Sequence, residues 1–136
     1  MTDGQRLALL EAWVEGKGYH VETDPDHPCS VDLSDRVIWL KKGETLRRRL
    51  YSLLHECGHV LQEESKAPRL FDESRLWELE DEMDAWRRGW NLQEQLDLGL
   101  PLRGYRRIAT ECVMTYVEHE AKKDEKKEQC HENAST

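Results

Sequence analysis

Residues 48–61 read RRLYSLLHECGHVL, and this stretch decides how the rest of the chain is interpreted. Its apolar residues recur every three or four positions, which is typical of an amphipathic helix, so we predict a helix over about residues 44–62. The apolar stripe of this helix consists of Leu46, Leu50, Leu53, Cys57 and Leu61. His55 and His59 lie nearly opposite the stripe. One side of the helix can therefore pack into a core while the other opens onto a cleft.

The same helix carries the motif His55-Glu56-x-x-His59. Histidines four residues apart project from one face of a helix, where a single metal ion can bind both imidazoles. Glu56 lies about 100° around the helix from His55, a position from which a carboxylate acts as general base on a metal-bound water. Gly58 costs about 1 kcal/mol relative to alanine inside a helix, which indicates a packing or access requirement. The motif is short enough to arise by chance, but the regular helix around it favours a zinc site.

Zinc at a catalytic site needs a third protein ligand and an open fourth position. The candidates are carboxylates on a second predicted helix over about residues 74–96, namely Glu78, Glu80, Asp81, Glu82 and Asp84. The apolar stripe of that helix is Leu76, Leu79, Met83, Trp86 and Trp90. Glu82 lies about 75° from the stripe centre and Glu80 about 85° on the other side, whereas Asp81 points almost directly away. We therefore predict Glu82 as the third ligand, with Glu80 and Glu78 as alternatives.

The remaining segments predict a mainly helical α+β domain with a small β-hairpin or sheet ahead of the histidine helix. A helix is predicted at residues 4–16, a short strand at residues 19–21 and a β-hairpin at residues 31–40. A loop is predicted at residues 63–73 and a last helix at residues 104–120. The length of 136 residues fits one domain, and no internal repeat divides the chain.

The C-terminal segment differs from the rest in composition. Residues 122–128 are all charged, and residues 122–136 contain no large apolar side chain. Such a segment cannot bury enough surface to order itself. We therefore predict a single domain over residues 1–121 and a disordered tail over residues 122–136. Cys130 and His131 have metal-binding chemistry, but they lack a scaffold and are not predicted to form a site.

Composition and charge argue against several classes of protein. The net charge of −8 disfavours a general nucleic-acid binder. No apolar run approaches the roughly 18 residues of a membrane span, and the N-terminus lacks the layout of a signal peptide. We therefore expect a cytoplasmic protein whose four cysteines are free thiols. Cys57, on the core side of its helix, is expected to be a small buried apolar residue.

A family resemblance rests on these same stretches. Residues 48–61 and the hairpin before them resemble the active-site helix region of the ImmA/IrrE-type metallopeptidases. Residues 82–90, EMDAWRRGW, are similar to a Glu-x-x-Ala-Trp-x-x-Gly pattern of small phage and prophage relatives. The resemblance covers about residues 30–117 and implies a zincin-like metallopeptidase domain in which Glu82 is the third zinc ligand. It further implies a protein or peptide substrate, such as a regulatory protein of a phage or mobile element.

Two features of the site are less well specified by the sequence. Thermolysin-like enzymes have an Asp four residues after the ligand Glu that supports a zinc-bound histidine, and here that position is Trp86. The support of the histidines must therefore differ. Candidates for stabilising an oxyanion are Tyr51 and Arg48, upstream on the histidine face, and Tyr116 of the last helix. Tyr51 also has an ordinary interpretation as a packing residue.

Two functions from different classes fit this sequence. In the first, the chain is a zinc-dependent metallopeptidase in which Glu56 takes a proton from a zinc-bound water and passes it to the leaving amine. In the second, it is a zinc-stabilised, non-catalytic interaction protein of phage type that binds a host or regulatory protein. A plain helical domain without metal is the third alternative, and elemental analysis would distinguish it from the other two.

Overall fold

The computed structural model describes residues 1–65 and 75–134, with side chains described within residues 1–65 and 78–127. In chain order the elements are α1 (Asp3–Gly16), β1 (His20–Asp24), β2 (Ser30–Asp32), β3 (Val37–Lys41), α2 (Leu46–Ser65), α3 (Arg75–Gln95) and α4 (Leu102–Ala134). This is an α+β arrangement with a small sheet ahead of the histidine helix, as the sequence predicts. Among the described helices, none is long and apolar enough to cross a membrane.

The sheet has three strands in the order β1-β3-β2. β2 and β3 form the predicted hairpin, antiparallel, with Val31 opposite Ile38. β1 runs parallel to β3 on its other side and reaches Asp24, further than the short strand predicted at residues 19–21. Alternate residues of a strand face the same side, and Ile38 and Leu40 of the central strand are almost completely buried. The sheet therefore covers the core from one side.

α2 is the central helix of the domain. It begins after Thr45, whose Oγ1 accepts a hydrogen bond from the backbone nitrogen of Arg48 at 3.2 Å, as a helix N-cap does. It continues to Ser65, so the first residues of the loop predicted at residues 63–73 are helical. The rest of that loop lies outside the described residues. The predicted helix over residues 44–62 is thus confirmed, with both ends shifted by two or three positions.

The apolar stripe predicted for α2 is only part of its buried surface. Leu53 and Cys57 are fully buried as predicted, whereas Leu46 at the start of the stripe is 47% exposed. Leu54 and Gly58, which lie about 60° and 100° around the helix from the centre of the stripe, are buried as well. α2 therefore packs on two sides, against the sheet and α1 on one and against α3 on the other.

Two glycines bring α2 and α3 into close contact. A Cβ atom built on Gly58 would overlap the backbone carbonyl of Ala85, and one built on Gly89 would overlap the backbone carbonyl of Leu54. The helices therefore meet backbone to backbone at both points, which only residues without a side chain permit. This is the packing requirement that a glycine inside the motif helix indicates.

The face of α3 that packs against α2 differs from the stripe predicted for it. Met83, near the centre of that stripe, is 53% exposed, whereas Trp86 of the stripe is buried as predicted and Ala85 is buried beside it. Gly89 is buried too, so the inward face is turned by about a quarter of a turn towards the small residues. The prediction was wrong at Met83 because a close helix contact selects small side chains. The turn places Glu82 near the centre of the inward face.

α4 is longer than the helix predicted at residues 104–120. Tyr105 and Ile108 near its start are buried in the core. The helix continues to Ala134, although every described side chain from residue 121 to residue 127 is exposed. The helix thus runs on through the segment that was predicted to be disordered, because Lys and Glu have high helix propensity and need no burial to extend a helix. The division into a domain of residues 1–121 and a tail stays a prediction.

Candidate metal centre

Three side chains from two helices meet beside the α2–α3 contact. Nε2 of His55 lies 2.9 Å from Oε2 of Glu82, and Nε2 of His59 lies 3.2 Å from Oε1 of the same carboxylate. One potential ligand atom from each of the three residues falls within 4.8 Å of the others. α2 supplies the two histidines from successive turns, and the close approach of α3 at Gly58 brings Glu82 across to them. This is a possible metal site.

The cluster lies in the wall of a cleft with a volume of about 410 Å³. Residues 29–31 and Leu33, in and around the edge strand β2, form one side of the cleft. The cluster, Asp81 and Glu78 form another, and Tyr116 of α4 completes the lining. The side chains of His55, His59 and Glu82 are 12%, 18% and 30% exposed, so a small molecule in the cleft can reach them.

The three carboxylates ranked from the sequence have different positions. Glu82 is the acid that touches both histidines. Glu78 borders the cleft and accepts a hydrogen bond from the hydroxyl of Tyr116 at 2.9 Å. Glu80 is exposed and is not among the cleft-lining residues. Asp81 lines the cleft instead of pointing away, because the inward face of α3 is turned from the predicted one. Geometry therefore favours the order that puts Glu82 first.

The charges of the cluster reinforce one another. Burial by itself would raise the pKa of Glu82, but hydrogen bonds from His55 and His59 outweigh burial and hold that pKa well below its ordinary value. Burial by itself would lower the pKa of His59, but the hydrogen bond to Glu82 and the charges of Glu82 and Glu56 raise it. With neutral imidazoles, the three side chains offer one oxygen and two nitrogen atoms as metal ligands. These are ligand atoms of the kinds found in zinc sites.

Glu56 lies beside the cluster without belonging to it. Glu56 is only 3% exposed, yet it lines the cleft. Burial raises the pKa of its carboxyl group, the charges of His55 and His59 oppose that rise, and the charge of Glu82 adds to it. A carboxylate in this position is close to the cluster and accessible from the cleft, which is where the sequence places the general base.

The two histidines are supported by different neighbours. The ring of His55 stacks on Trp86, with centroids 4.3 Å apart and planes 18° apart, and its Nδ1 is buried with no hydrogen-bond partner among the described residues. Nδ1 of His59 lies 2.8 Å from Oε1 of Gln62. Trp86 thus supports a histidine where thermolysin-like enzymes use an Asp. Gln62 was missed by the sequence analysis, although its spacing three residues after His59 places both on one helix face.

The three candidates for oxyanion stabilisation have different surroundings. Tyr51 is 3% exposed and packs edge-on against Tyr105, so it is a packing residue. Arg48 lies 3.6 Å from the carboxylate of Glu111, and neither Arg48 nor Tyr51 is among the residues that line the cleft. Tyr116 does line it, and its hydroxyl points to Glu78.

The cysteines follow the sequence analysis where they are described. Cys29, Cys57 and Cys112 are free thiols, and Cys57 is fully buried. Cys29 also borders the cleft, which no sequence pattern indicated, since it precedes a strand of only three residues. The side chains of Cys130 and His131 lie outside the described ones.

Comparison with known proteins adds no relative. No protein-family model matches the chain, and no match was found among curated proteins or among solved structures. What can be said about function therefore comes from the residues themselves, and the finding they support is a possible metal site made by His55, His59 and Glu82.

Proposed function

We propose that the chain is a zinc-dependent metallopeptidase of the kind that the ImmA/IrrE resemblance implies. The observation that carries the proposal is the convergence of His55, His59 and Glu82, with ligand atoms within 4.8 Å of one another, in the wall of an open cleft. Two imidazole nitrogens and one carboxylate oxygen form the protein ligand set of many catalytic zinc sites, which leave a fourth position for water or substrate. The donor set and its access from the cleft thus fit zinc.

The chemistry divides between the metal and the chain. When bound, zinc would activate a water molecule and polarise the scissile carbonyl. Glu56 is the group of the chain that accepts the proton of the water and then delivers it to the leaving amine. Its burial beside the ligands restricts where the carboxylate can move, while its position on the cleft lets it reach both water and substrate.

Tyr116 has a place in this proposal as a group that contacts the substrate. Its hydroxyl is a hydrogen-bond donor in the cleft, where it donates to Glu78. A carbonyl oxygen that becomes negative during attack needs such a donor. Of the three candidates from the sequence, Tyr116 is the one that lines the cleft. The substrate expected from the resemblance is a protein or peptide, such as a regulatory protein.

The test compares zinc content and hydrolysis of a mixed peptide library for the wild type and three matched variants. The wild type should hold about one zinc per chain, and Glu82→Gln should bind zinc more weakly. Glu56→Gln should retain zinc while turnover falls by about 10²-fold or more, because only the base is lost. Glu80→Gln removes the same charge from an exposed position of the same helix and should behave like the wild type.

Two results would contradict the proposal. A wild-type protein that binds no zinc would show that the three side chains do not form a metal centre. A Glu56→Gln variant with full turnover would show that the peptidase mechanism is wrong. Zinc binding without hydrolysis of any peptide would make the zinc-stabilised interaction protein the better account.

A further inference from the structure

We infer that Gln62 is a positioning residue for the metal centre, which fixes the tautomer of His59 and ties that ligand to the helix that carries Glu82. The inference rests on the proposed function, since it concerns how a zinc ligand is held. Gln62 lies on α2 one turn after His59, and its side chain is half-buried between α2 and α3. It contacts one ligand directly and the backbone next to another.

The amide nitrogen of Gln62 has an orientation that its partners dictate. It lies 2.7 Å from the backbone carbonyl oxygen of Asp81 and 3.0 Å from Oδ2 of Asp84. A carbonyl and a carboxylate can only accept hydrogen bonds, so the NH2 group must face both. Asp84 is itself fixed, because Nε of Arg88 donates to it at 2.7 Å and Arg87 pairs with it as well. The amide oxygen is left to face His59.

The orientation of the Gln62 amide determines which ring nitrogen of His59 carries a hydrogen. Oε1 of Gln62 lies 2.8 Å from Nδ1 of His59, and an amide oxygen cannot donate, so Nδ1 must carry the hydrogen. Nε2 faces the carboxylate of Glu82 at 3.2 Å and donates its hydrogen to it. When Nε2 loses that hydrogen and Nδ1 keeps its own, the ring is neutral and Nε2 has the free lone pair that a metal ion would take. Metal-bound histidines usually donate their other ring N–H in this way, which fixes the ring and strengthens it as a ligand.

The same amide also joins the two helices of the site. Its two acceptors, Asp81 and Asp84, flank Glu82 on α3, so the contact that holds His59 also fixes the segment that carries the third ligand. The other histidine lacks this support, since Nδ1 of His55 has no hydrogen-bond partner in the described structure and its ring rests on Trp86. His59 is therefore the ligand whose geometry depends on a hydrogen-bond network.

The experiment measures zinc affinity by chelator competition and the exchange of the His59 Nδ1 proton by NMR in the zinc-loaded protein. In the wild type, this proton should be present and slow to exchange. Gln62→Met keeps the shape of the side chain and removes its polar atoms, so zinc affinity should fall by about 10- to 100-fold and the proton should exchange rapidly. The double variant Gln62→Glu with Asp84→Asn keeps an acceptor at His59 and a donor–acceptor pair with residue 84, but it loses the hydrogen bond to the carbonyl oxygen of Asp81. Its His59 proton should therefore stay protected from exchange, while zinc affinity recovers in part.

A matched control separates positioning from ordinary stability. Gln93 is a buried glutamine of α3 that accepts a hydrogen bond from the backbone nitrogen of Leu100, away from the cleft. Gln93→Met should lower the melting temperature and leave zinc affinity and the His59 proton unchanged. If Gln62→Met fails to fold, the double variant decides, since it should show a protected His59 proton.

The inference and the proposed function fail in different ways. If the wild type binds zinc and Gln62→Met matches it in affinity and in the exchange of the His59 proton, the positioning role is wrong while the zinc site stands. The positioning role also fails if the double variant folds and its His59 proton exchanges rapidly. If the wild type binds no zinc, the proposed function is wrong, and with it the role assigned to Gln62.

Discussion

The α2–α3 contact and the C-terminal part of α4 are both helical, but different forces keep them so. α2 and α3 meet backbone to backbone at Gly58 and Gly89, and the possible metal site lies across that contact. In α4 the described side chains from residue 121 to residue 127 are all exposed. Its helix there depends on local propensity, whereas the position of α3 depends on packing.

This difference explains where the site lies. Residues that must hold a ligand within a few tenths of an ångström need neighbours that cannot move, and the close helix contact provides them. A solvated helix changes its position at little cost, so it is a poor support for such geometry. The contrast predicts that changes at the α2–α3 contact affect both stability and metal binding, and that changes in the end of α4 affect neither.

The largest effect is expected from Gly58→Ala. The added methyl group meets the backbone carbonyl of Ala85, which cannot rotate away, so the helices must separate. We expect a loss of about 3 kcal/mol in the free energy of unfolding, at the upper end of overpacking effects and despite the better helix propensity of alanine. Zinc affinity should fall too, because Glu82 moves away from the histidines. Urea unfolding and chelator competition measure the two effects.

Gly16→Ala is the matched control for that substitution. Gly16 ends α1, and a methyl group there would meet nothing within 4 Å. Its free energy of unfolding should stay the same or rise by at most about 1 kcal/mol. Equal stability of the Gly58→Ala and Gly16→Ala proteins would show that the α2–α3 contact adjusts easily, and the contrast with α4 would lose its basis.

Removal of zinc should produce the next largest effect. A ligand present at 100 times its dissociation constant adds about 2.7 kcal/mol to the stability of the folded state. The ligands here come from α2 and α3, so chelation should lower the melting temperature. The same chelator should have almost no effect on a His55→Ala, His59→Ala protein. An unchanged wild-type melt after zinc has demonstrably left would mean that the site does not hold the two helices together.

The features that sequence analysis predicted correctly are set by local patterns. The amphipathic spacing around His55 and His59 defines a helix, whatever the rest of the chain does. The alternation of Val31 and Leu33 and the β-rich run at residues 37–40 define a hairpin in the same way. Glu82 was ranked ahead of its neighbours from the resemblance and from a stripe that the structure turns by about a quarter of a turn, towards Glu82. Glu82 is the acid that contacts both histidines.

Two of the features that were missed depend on contacts between distant segments, and the third, the length of α4, depends on local helix propensity. Met83 was predicted to be buried because large apolar residues were taken to define the inward face of α3, but the glycines of the α2–α3 contact define it instead. Glutamine is common on helix surfaces, and the contact between Gln62 and Asp84 forms only when α3 packs against α2. The length of α4 was underestimated because lack of burial was equated with lack of helix.

A smaller effect is expected at a contact between α1 and α2 made by charged groups. The carboxylate of Asp3 accepts two hydrogen bonds from Arg47, each at 3.0 Å, and one from Arg6 at 2.8 Å. Asp3 is partly exposed, so Asp3→Asn should lower the free energy of unfolding by less than about 1 kcal/mol. Glu15→Gln removes the same charge from an exposed position of α1 and should cause no loss.

The pH dependence of this contact has a definite sign. The hydrogen bond from Arg47 is the main reason that the pKa of Asp3 is lowered in the folded protein. The Asp3 contribution is therefore fully present above the unfolded pKa, about 3.9, and is lost as the pH falls through the lower folded value. The stability difference between wild type and Asp3→Asn should shrink over that acidic range. A difference that stays constant from neutral pH to about pH 2 would contradict the pairing.

The smallest effect is expected from truncation after Ala121, which removes the exposed end of α4. The described side chains removed, residues 122–127, are exposed, so little apolar surface is lost from the fold. The last residue of the chain that lines the cleft is Tyr116, which the truncated chain retains. Zinc content and melting temperature should therefore stay close to those of the wild type, while helical circular dichroism falls because α4 is shorter. A large drop in either zinc content or melting temperature would show that the segment docks on the domain, and the division at residue 121 would then be wrong.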